Sequence, residues 1–210
     1  MQAMDGISYE YRSTQPEASH EYLFPVIAPL LKDLPAGSSV LDLGCGNGTF
    51  LALFRARGWK LYGTDFSPTG IDIARKTFPE IEFFLADSTS PTGDLLERVG
   101  PVDAILSTEV IEHLYDPRGF LRNAHELLKP GGKLVLSTPY HGYFKNLMLA
   151  LTGKLDKHFT VLWDHGHIKF WSRKTLTQAL EEAGFTSIQF AGAGRAPWFW
   201  KSMVLMATKQ

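Results

Sequence analysis

Short apolar runs alternate along the chain with segments in which apolar residues recur at helical spacing. The apolar runs have the length of buried strands, and they are Ser38–Leu43, Lys60–Thr64, Glu82–Leu85, Asp103–Thr108 and Lys133–Thr138. The segments with helical spacing are Thr49–Arg57, Pro68–Phe78 and Pro117–Leu128. Strands that alternate with helices predict βαβ units, and therefore a mostly parallel sheet covered by helices on both faces.

Helix boundaries are marked by residues that cap or stop a helix. Ser67-Pro68 and Asp116-Pro117 each place a side-chain acceptor before a proline at the first helical position. Lys129–Gly132 (KPGG) is typical of a helix end that leads into a strand. A further helix is predicted ahead of the first strand, where these aliphatic residues share one face: Leu23, Val26, Ile27, Leu30, Leu31 and Leu34.

The regular alternation stops after Pro139. Tyr140–Lys169 is rich in aromatic residues and histidine, and the helix Ser172–Ala183 follows it. Two last strands are predicted at Phe185–Phe190 and Met203–Ala207. We therefore expect a single domain over residues 1–210, with a ligand-binding core at 36–139 and an insert at 140–170.

Composition and charge exclude several classes of protein. Apolar residues make up 44% of the 210 residues, which is enough for a sizeable core. The 21 Lys and Arg against 22 Asp and Glu argue against an electrostatic nucleic-acid binder. A single cysteine excludes an intrachain disulfide and a Cys₄ zinc site. With no signal-like start and no apolar run of membrane-spanning length, we expect a cytoplasmic protein.

The glycine loop after the first strand is the most informative motif. Gly44, Gly46 and Gly48 would let a ligand approach the backbone closely. Their G-x-G-x-G spacing differs from the G-x-G-x-x-G of nicotinamide dehydrogenases, and a phosphate-binding G-K-[ST] is missing. Asp42 beside the loop would repel a pyrophosphate, but it suits a ligand that carries an ammonium or sulfonium charge.

Two more acids follow the next two predicted strands. Asp65 can accept hydrogen bonds from both hydroxyls of a ribose, or it can cap the following helix. Asp87 can accept from an adenine amino group, or it can be an ordinary loop aspartate. Parallel strands end at one rim of the sheet, so we expect these acids to share a ligand site there.

Five segments together resemble the class I S-adenosylmethionine-dependent methyltransferases. They are LDLGCGNG at 41–48, GTDFS at 63–67, LADS at 85–88, STEVIEHL at 107–114 and LLKPGGKLVLSTP at 127–139. The chain is similar to the O-methyltransferase branch of ubiquinone biosynthesis. The resemblance implies a Rossmann-like, doubly wound α/β fold with seven strands, of which the last is antiparallel. It also implies S-adenosyl-L-methionine as the cofactor.

Cofactor contacts are expected along this rim. The resemblance implies cofactor contacts at Gly44, Cys45, Gly46, Asp65, Phe66, Asp87 and Ser88, with Thr108 and Glu109 near the methionine end of the cofactor. The charge argument adds Asp42 to these expected cofactor-binding residues. His113 is the candidate general base, because an unperturbed imidazole titrates near neutral pH; the alternative is a histidine that only caps or packs. We expect no metal, although Glu109, Glu112 and His113, with His165 or His167, could form a divalent site.

The acceptor side is expected in the insert. Phe144, Leu147, Met148 and Leu151 share one helical face, and they suit either an apolar acceptor pocket or ordinary core burial. We expect O-methylation of a small-molecule or lipid-like acceptor, with the insert as a mobile cover and peripheral membrane contact left open. Two other classes remain: a metal-assisted RNA 2′-O-methyltransferase and a non-catalytic methyltransferase-like binding module.

Overall fold

The computed structural model describes residues 10–11, 13–159, 161–163 and 166–210. Seven strands form one sheet in the order β3-β2-β1-β4-β5-β7-β6. They are β1 Ser39–Leu43, β2 Lys60–Asp65, β3 Glu82–Leu85, β4 Val102–Thr108, β5 Leu128–Pro139, β6 Phe185–Ala193 and β7 Ser202–Lys209. Neighbours among β1–β5 pair in parallel, whereas β7 is antiparallel to both β5 and β6. The predicted doubly wound sheet with an antiparallel last strand is therefore confirmed.

Seven α-helices connect or flank these strands in the described part of the chain. They are α1 His20–Leu30, α2 Pro68–Thr77, α3 Gly93–Val99, α4 Pro117–Leu127, α5 Tyr143–Leu151, α6 Leu155–Phe159 and α7 Arg173–Glu182. Two caps form as the sequence predicts: the Ser67 hydroxyl accepts from Gly70 N at 3.2 Å, and Asp116 Oδ1 accepts from Gly119 N at 2.8 Å. Each cap satisfies a backbone donor that the first helical turn leaves unpaired.

Three segments differ from the prediction. Leu51–Arg57 forms a 3₁₀ helix in place of the α-helix expected at Thr49–Arg57. Helix α3 was not predicted; it is short, and its apolar residues Leu95, Leu96 and Val99 are only partly buried against the core. Lys129–Gly132, expected to end a helix, lies within β5, where the register with β4 is interrupted between Val102 and Ala104.

The core lies on both faces of the sheet because successive strand residues point to opposite sides. Val40 packs with α1, α2 and the 3₁₀ helix, whereas the next residue, Leu41, packs with α4 and α7. Ala104 and Ile105 on β4 divide between the two faces in the same way. Burying such an aliphatic side chain stabilises the fold by roughly 1.5–3 kcal/mol, so both helical layers are fixed to the sheet.

Sheet topology decides where a ligand can bind. β1 lies between β2 and β4, so the connections leave β1 in opposite directions along the sheet. A crevice opens at such a point, outside the carboxyl ends of the strands. The ends of β1, β2 and β4 are therefore the expected rim of a binding site.

The insert at 140–170 contains α5 and α6 and begins directly after β5. Tyr140 is buried against Trp200, with ring centroids 5.1 Å apart, which anchors the start of the insert to the sheet. Beyond that anchor the insert is apolar and open, since Tyr143 is 83% exposed and Leu162 is 95% exposed. In the ranges that the structure describes, no helix combines the length and the apolar character needed to cross a bilayer.

Candidate active site

The glycine loop follows β1 in a conformation that other residues adopt only with strain. Gly44, Gly46 and Gly48 have φ angles of 84°, 54° and 77°. The N–H groups of Gly44 and Cys45 both donate to the Thr64 carbonyl oxygen, at 2.8 and 2.9 Å. The loop is thus held against the end of β2, with its backbone close to the crevice.

Asp65 links this loop to the start of α2. Its Oδ2 accepts from Gly46 N at 2.8 Å, and its Oδ1 accepts from Ser67 N at 2.8 Å. Burial raises the pKa of Asp65, and these backbone donors oppose that rise. The N-cap of α2 is Ser67, so the carboxylate of Asp65 is not the cap. Because each carboxylate oxygen has two lone pairs, Asp65 can still accept from ligand hydroxyls.

Asp42 is the most unusual group of the rim. Its side chain is buried, and neither carboxylate oxygen has a hydrogen-bond partner among the described residues. Burial, followed by the charge of Asp65, raises the pKa of Asp42 to about 8. A buried carboxyl group without a partner is costly unless a cation or donor completes it. The environment of Asp42 therefore fits a ligand that carries positive charge.

The other expected cofactor contacts lie around the same rim. Phe66, next to Asp65, leaves half of its surface exposed, so a ligand can cover its ring. Asp87 is exposed and its Oδ1 accepts from Thr89 N and Thr89 Oγ1, both at 2.8 Å, in a local turn. Ser88 offers its carbonyl oxygen to Asn123 Nδ2 at 2.9 Å. The local turn explains the position of Asp87 without a ligand, and its remaining lone pairs stay available.

Cys45 and Thr108 are two further expected cofactor contacts. Burial raises the pKa of the Cys45 thiol well above its ordinary value, so this cysteine stays protonated and is no nucleophile at neutral pH. Thr108 ends β4 and is half-buried opposite Ser137 of β5.

Glu109 follows β4 in a left-handed conformation, with φ at 54°. Its Oε1 accepts from the Ser137 hydroxyl at 2.7 Å, and its Oε2 accepts from the Ser202 hydroxyl at 3.2 Å. Burial raises the pKa of Glu109 to about 7. Strained backbone and a carboxyl group that titrates near neutral pH often occur together at functional sites.

Glu112, His113 and His167 converge beside this acid. One possible ligand atom from each lies within 4.8 Å of the others, a spacing that could hold a metal ion. The rings of His113 and His167 are 4.9 Å apart at their centroids. Glu109 is not a member of this group; its oxygens accept from the Ser137 and Ser202 hydroxyls instead. His165 lies outside the described residues.

The insert returns to the rim at this cluster. The N–H groups of Ile168 and Lys169 both donate to the Glu112 carbonyl oxygen at 2.9 Å. Burial, followed by the charge of His113, lowers the pKa of His167 to about 4, so its ring is neutral at pH 7. The structure thus places the ring of His167 beside His113, the predicted general base.

An N-terminal segment that the sequence did not single out covers the glycine loop. Asn47 Nδ2 donates to the carbonyl oxygens of Ser13 and Gln15, at 3.1 and 3.2 Å. Tyr11 donates its backbone N–H to Thr69 Oγ1 at 3.0 Å, and its ring lies against Gly46. This segment has no hydrophobic periodicity that would predict its position. The only sequence signal was Asn47, whose side-chain amide can donate to backbone carbonyl oxygens.

The chain shares its family with many characterised proteins. Residues 12–189 match the model of a methyltransferase domain. The ubiquinone biosynthesis O-methyltransferase of Cereibacter sphaeroides is 30% identical over 171 residues, which cover 78% of this chain and 67% of that protein.

Solved structures agree in fold. The magnesium protoporphyrin IX methyltransferase of Synechocystis, which binds S-adenosylhomocysteine, superposes with a TM-score of 0.66 at 19% identity and covers 95% of this chain and 90% of its own. The [4+2]-cyclase SpnF superposes with a TM-score of 0.70 at 18% identity, and the match covers 97% of this chain and 87% of SpnF. At these identities the likeness concerns the fold alone.

Proposed function

The chain belongs to the methyltransferase-domain family and is a class I S-adenosylmethionine-dependent methyltransferase, and we propose that it methylates an oxygen of a small-molecule or lipid-like acceptor. The buried, unpaired carboxyl group of Asp42 beside the glycine loop carries the proposal for the cofactor site. The name of the ubiquinone-biosynthesis relative supports oxygen as the methylated atom.

Asp42, Asp65 and Glu109 would hold the cofactor through charge and hydrogen bonds. Asp42 is suited to the positive end of S-adenosylmethionine, because only a cation or donor completes its buried carboxyl group. Asp65 already accepts a hydrogen bond from Gly46 N, and its remaining lone pairs would accept from the ribose hydroxyls. Phe66, Asp87 and Ser88 would border the adenine, while Gly44, Cys45, Gly46 and Thr108 would line the floor.

The bound cofactor supplies an electrophilic methyl group on a positively charged sulfur. The chain must then orient the acceptor, exclude water and remove the proton of its hydroxyl group. A ring nitrogen of His113 would take that proton, with the neutral His167 ring packed beside it. Glu109, whose pKa lies near neutrality, is a second group that could store the proton.

Residues 36–139 would form the cofactor-binding core, and residues 140–170 would cover the acceptor. Phe144 and Leu151 on α5 are 46% and 72% exposed, so this helical face is not part of the core in the free chain. An acceptor with an apolar body would shield such a face from water.

A labelled methyl-transfer assay tests the acceptor class. We expect label from methyl-tritiated S-adenosylmethionine to reach an alkyl-substituted catechol, and to fail to reach the same compound with both hydroxyls already methylated. Transfer to an alkylamine with none to the catechol would contradict O-methylation, while leaving the family assignment intact.

A further inference from the structure

A cavity of about 400 Å³ lies beside the insert, between α5, α6 and the connection from β6 to β7. Four cations line it, Lys145, Lys154, Arg195 and Lys201, and we call this cavity the cation pocket. Among the residues that the structure describes, no acid lines it, and Phe199 contributes part of an apolar wall. Its volume lies in the range of small-molecule sites.

Lys145 is the most informative of the four cations. Only 9% of this residue is exposed, and its Nζ donates to the carbonyl oxygens of Tyr140 at 2.8 Å and Trp200 at 3.3 Å. A lysine ammonium has three donors, so one remains for a ligand. Burial, followed by the charge of Arg195, lowers the pKa of Lys145 to about 8.

The described residues leave the four cations of the pocket without ion pairs. None of the four cations forms an ion pair with any acid among the described residues. Lys201 instead lies over the ring of Tyr22, with its Nζ 4.8 Å from the ring centroid. Grouped cations without nearby carboxylates create a positive potential, which favours the binding of an anion.

The cation pocket also adjoins the candidate active site. Lys145 bonds the carbonyl oxygen of Tyr140, the first residue after β5, and it lies close enough to Glu109 for the two charges to affect each other's pKa. His158 lines the pocket and contacts the ring of His141 at 5.5 Å between centroids. A molecule anchored in the pocket therefore lies beside the rim where methyl transfer is proposed.

We propose that the cation pocket binds an anionic group of the methyl acceptor, a phosphate or carboxylate joined to an apolar body. The inference rests on the proposed methyl transfer at the adjoining rim. Arg195 can offer two parallel N–H donors to such a group, and Lys145 offers a partly desolvated ammonium. Met148 and Phe199 would contact the apolar body.

Calorimetric titration with phenyl phosphate, benzoate and phenol tests this inference, both with and without saturating S-adenosylhomocysteine. We expect one of the anions to bind at least tenfold more tightly than phenol, and the better anion separates a phosphate from a carboxylate acceptor. Lys145→Met and Arg195→Gln should each weaken that anion at least tenfold. Lys76→Met, an exposed lysine on α2, is the matched control and should change nothing.

Separate readouts distinguish the inference from the proposed function. The affinity for S-adenosylhomocysteine should stay the same in Arg195→Gln and Lys76→Met, because neither residue is among the expected cofactor contacts. Lys145→Met removes a charge that affects the pKa of Glu109, so its cofactor affinity is measured separately. Equal affinity for phenol and both anions would overturn the proposal that the cation pocket binds an anionic group. Unchanged anion affinity in Arg195→Gln, which alters an exposed residue, and in a folded Lys145→Met would also overturn it. If the parent protein does not bind S-adenosylhomocysteine, that result would instead count against the proposed function.

Discussion

At the scale of single residues, the main feature of the candidate site is its buried acidic side chains. Asp42 and Glu109 both have raised pKa values, and burial is the first cause for each. Asp65 differs, because backbone donors from Gly46 and Ser67 partly compensate its burial. These acids make the binding of a positively charged ligand at the rim electrostatically favourable.

The first prediction concerns Asp42. Its pKa is about 8 in the folded chain against an ordinary value of 3.8, so the folded chain retains a proton that the unfolded chain loses. Stability from this group is therefore fully present below about pH 4 and decreases as the pH rises towards 8. Asp42→Asn should raise the Tm of the ligand-free protein at pH 8 by several degrees, at roughly 2–4 °C per kcal/mol for a chain of this size.

The same variant should bind S-adenosylhomocysteine at least tenfold more weakly, because an amide cannot ionise to pair with the ammonium group of the ligand. Asp103→Asn is the control, since hydrogen bonds from Lys129 and Ser39 lower the pKa of Asp103 despite its partial burial. That change should lower the Tm. A lower Tm for Asp42→Asn at pH 8 would show that its carboxylate stabilises the ligand-free fold.

The second prediction concerns His113. If its ring removes the acceptor proton, His113→Ala should lower turnover by roughly 10²-fold or more with little change in cofactor affinity. His125→Ala, whose ring packs against Phe185, is the control and should keep turnover near that of the parent. Turnover of His113→Ala within twofold of the parent would leave this histidine a packing role.

A chelator separates a base from a metal ligand at the same cluster. Glu112, His113 and His167 have the spacing of a divalent site, so we would expect EDTA to abolish activity if a metal took part. With His113 as a simple base, activity should survive EDTA treatment.

At the scale of elements, local signals were predicted well and long-range contacts were not. Ser67 and Asp116 cap their helices as expected, because a cap depends on residues only three positions apart. The hydroxyls that hold Glu109 come from Ser137 on β5 and Ser202 on β7, which the sequence does not bring together. The sheet register decides this contact, and no local pattern encodes it.

The third prediction concerns the insert. The predicted cover is Tyr140–Trp163. Its described residues, 140–159 and 161–163, contain two short helices and several exposed apolar side chains, so few buried contacts hold them. Their amides should exchange quickly in the free protein and more slowly when S-adenosylhomocysteine and an acceptor bind. The amides of β4 serve as the internal reference, because its central residues are fully buried. Slow exchange throughout the insert in the free protein would mean a fixed wall rather than a mobile cover.

At the scale of the whole molecule, the alternation of strands and helices predicted a mostly parallel sheet, which is confirmed. The arrangement of the insert was harder to predict from the sequence, because its helices pack on the connection from β6 to β7, which lies about 50 residues later in the chain. Phe144 of α5 contacts Phe199 of that connection, with ring centroids 5.2 Å apart. The charge of the cation pocket likewise joins residues from both segments, which no motif reveals.

Calorimetric titration of the whole chain with S-adenosylhomocysteine, and separately with NAD, tests the central claim most directly. We predict one site for S-adenosylhomocysteine and none for NAD, because G-x-G-x-G with Asp42 and Asp65 favours a ligand without a pyrophosphate. At about 100 times its Kd, the bound ligand should stabilise the fold by roughly 2.7 kcal/mol. Binding of NAD with no heat from S-adenosylhomocysteine would contradict the assignment of this rim.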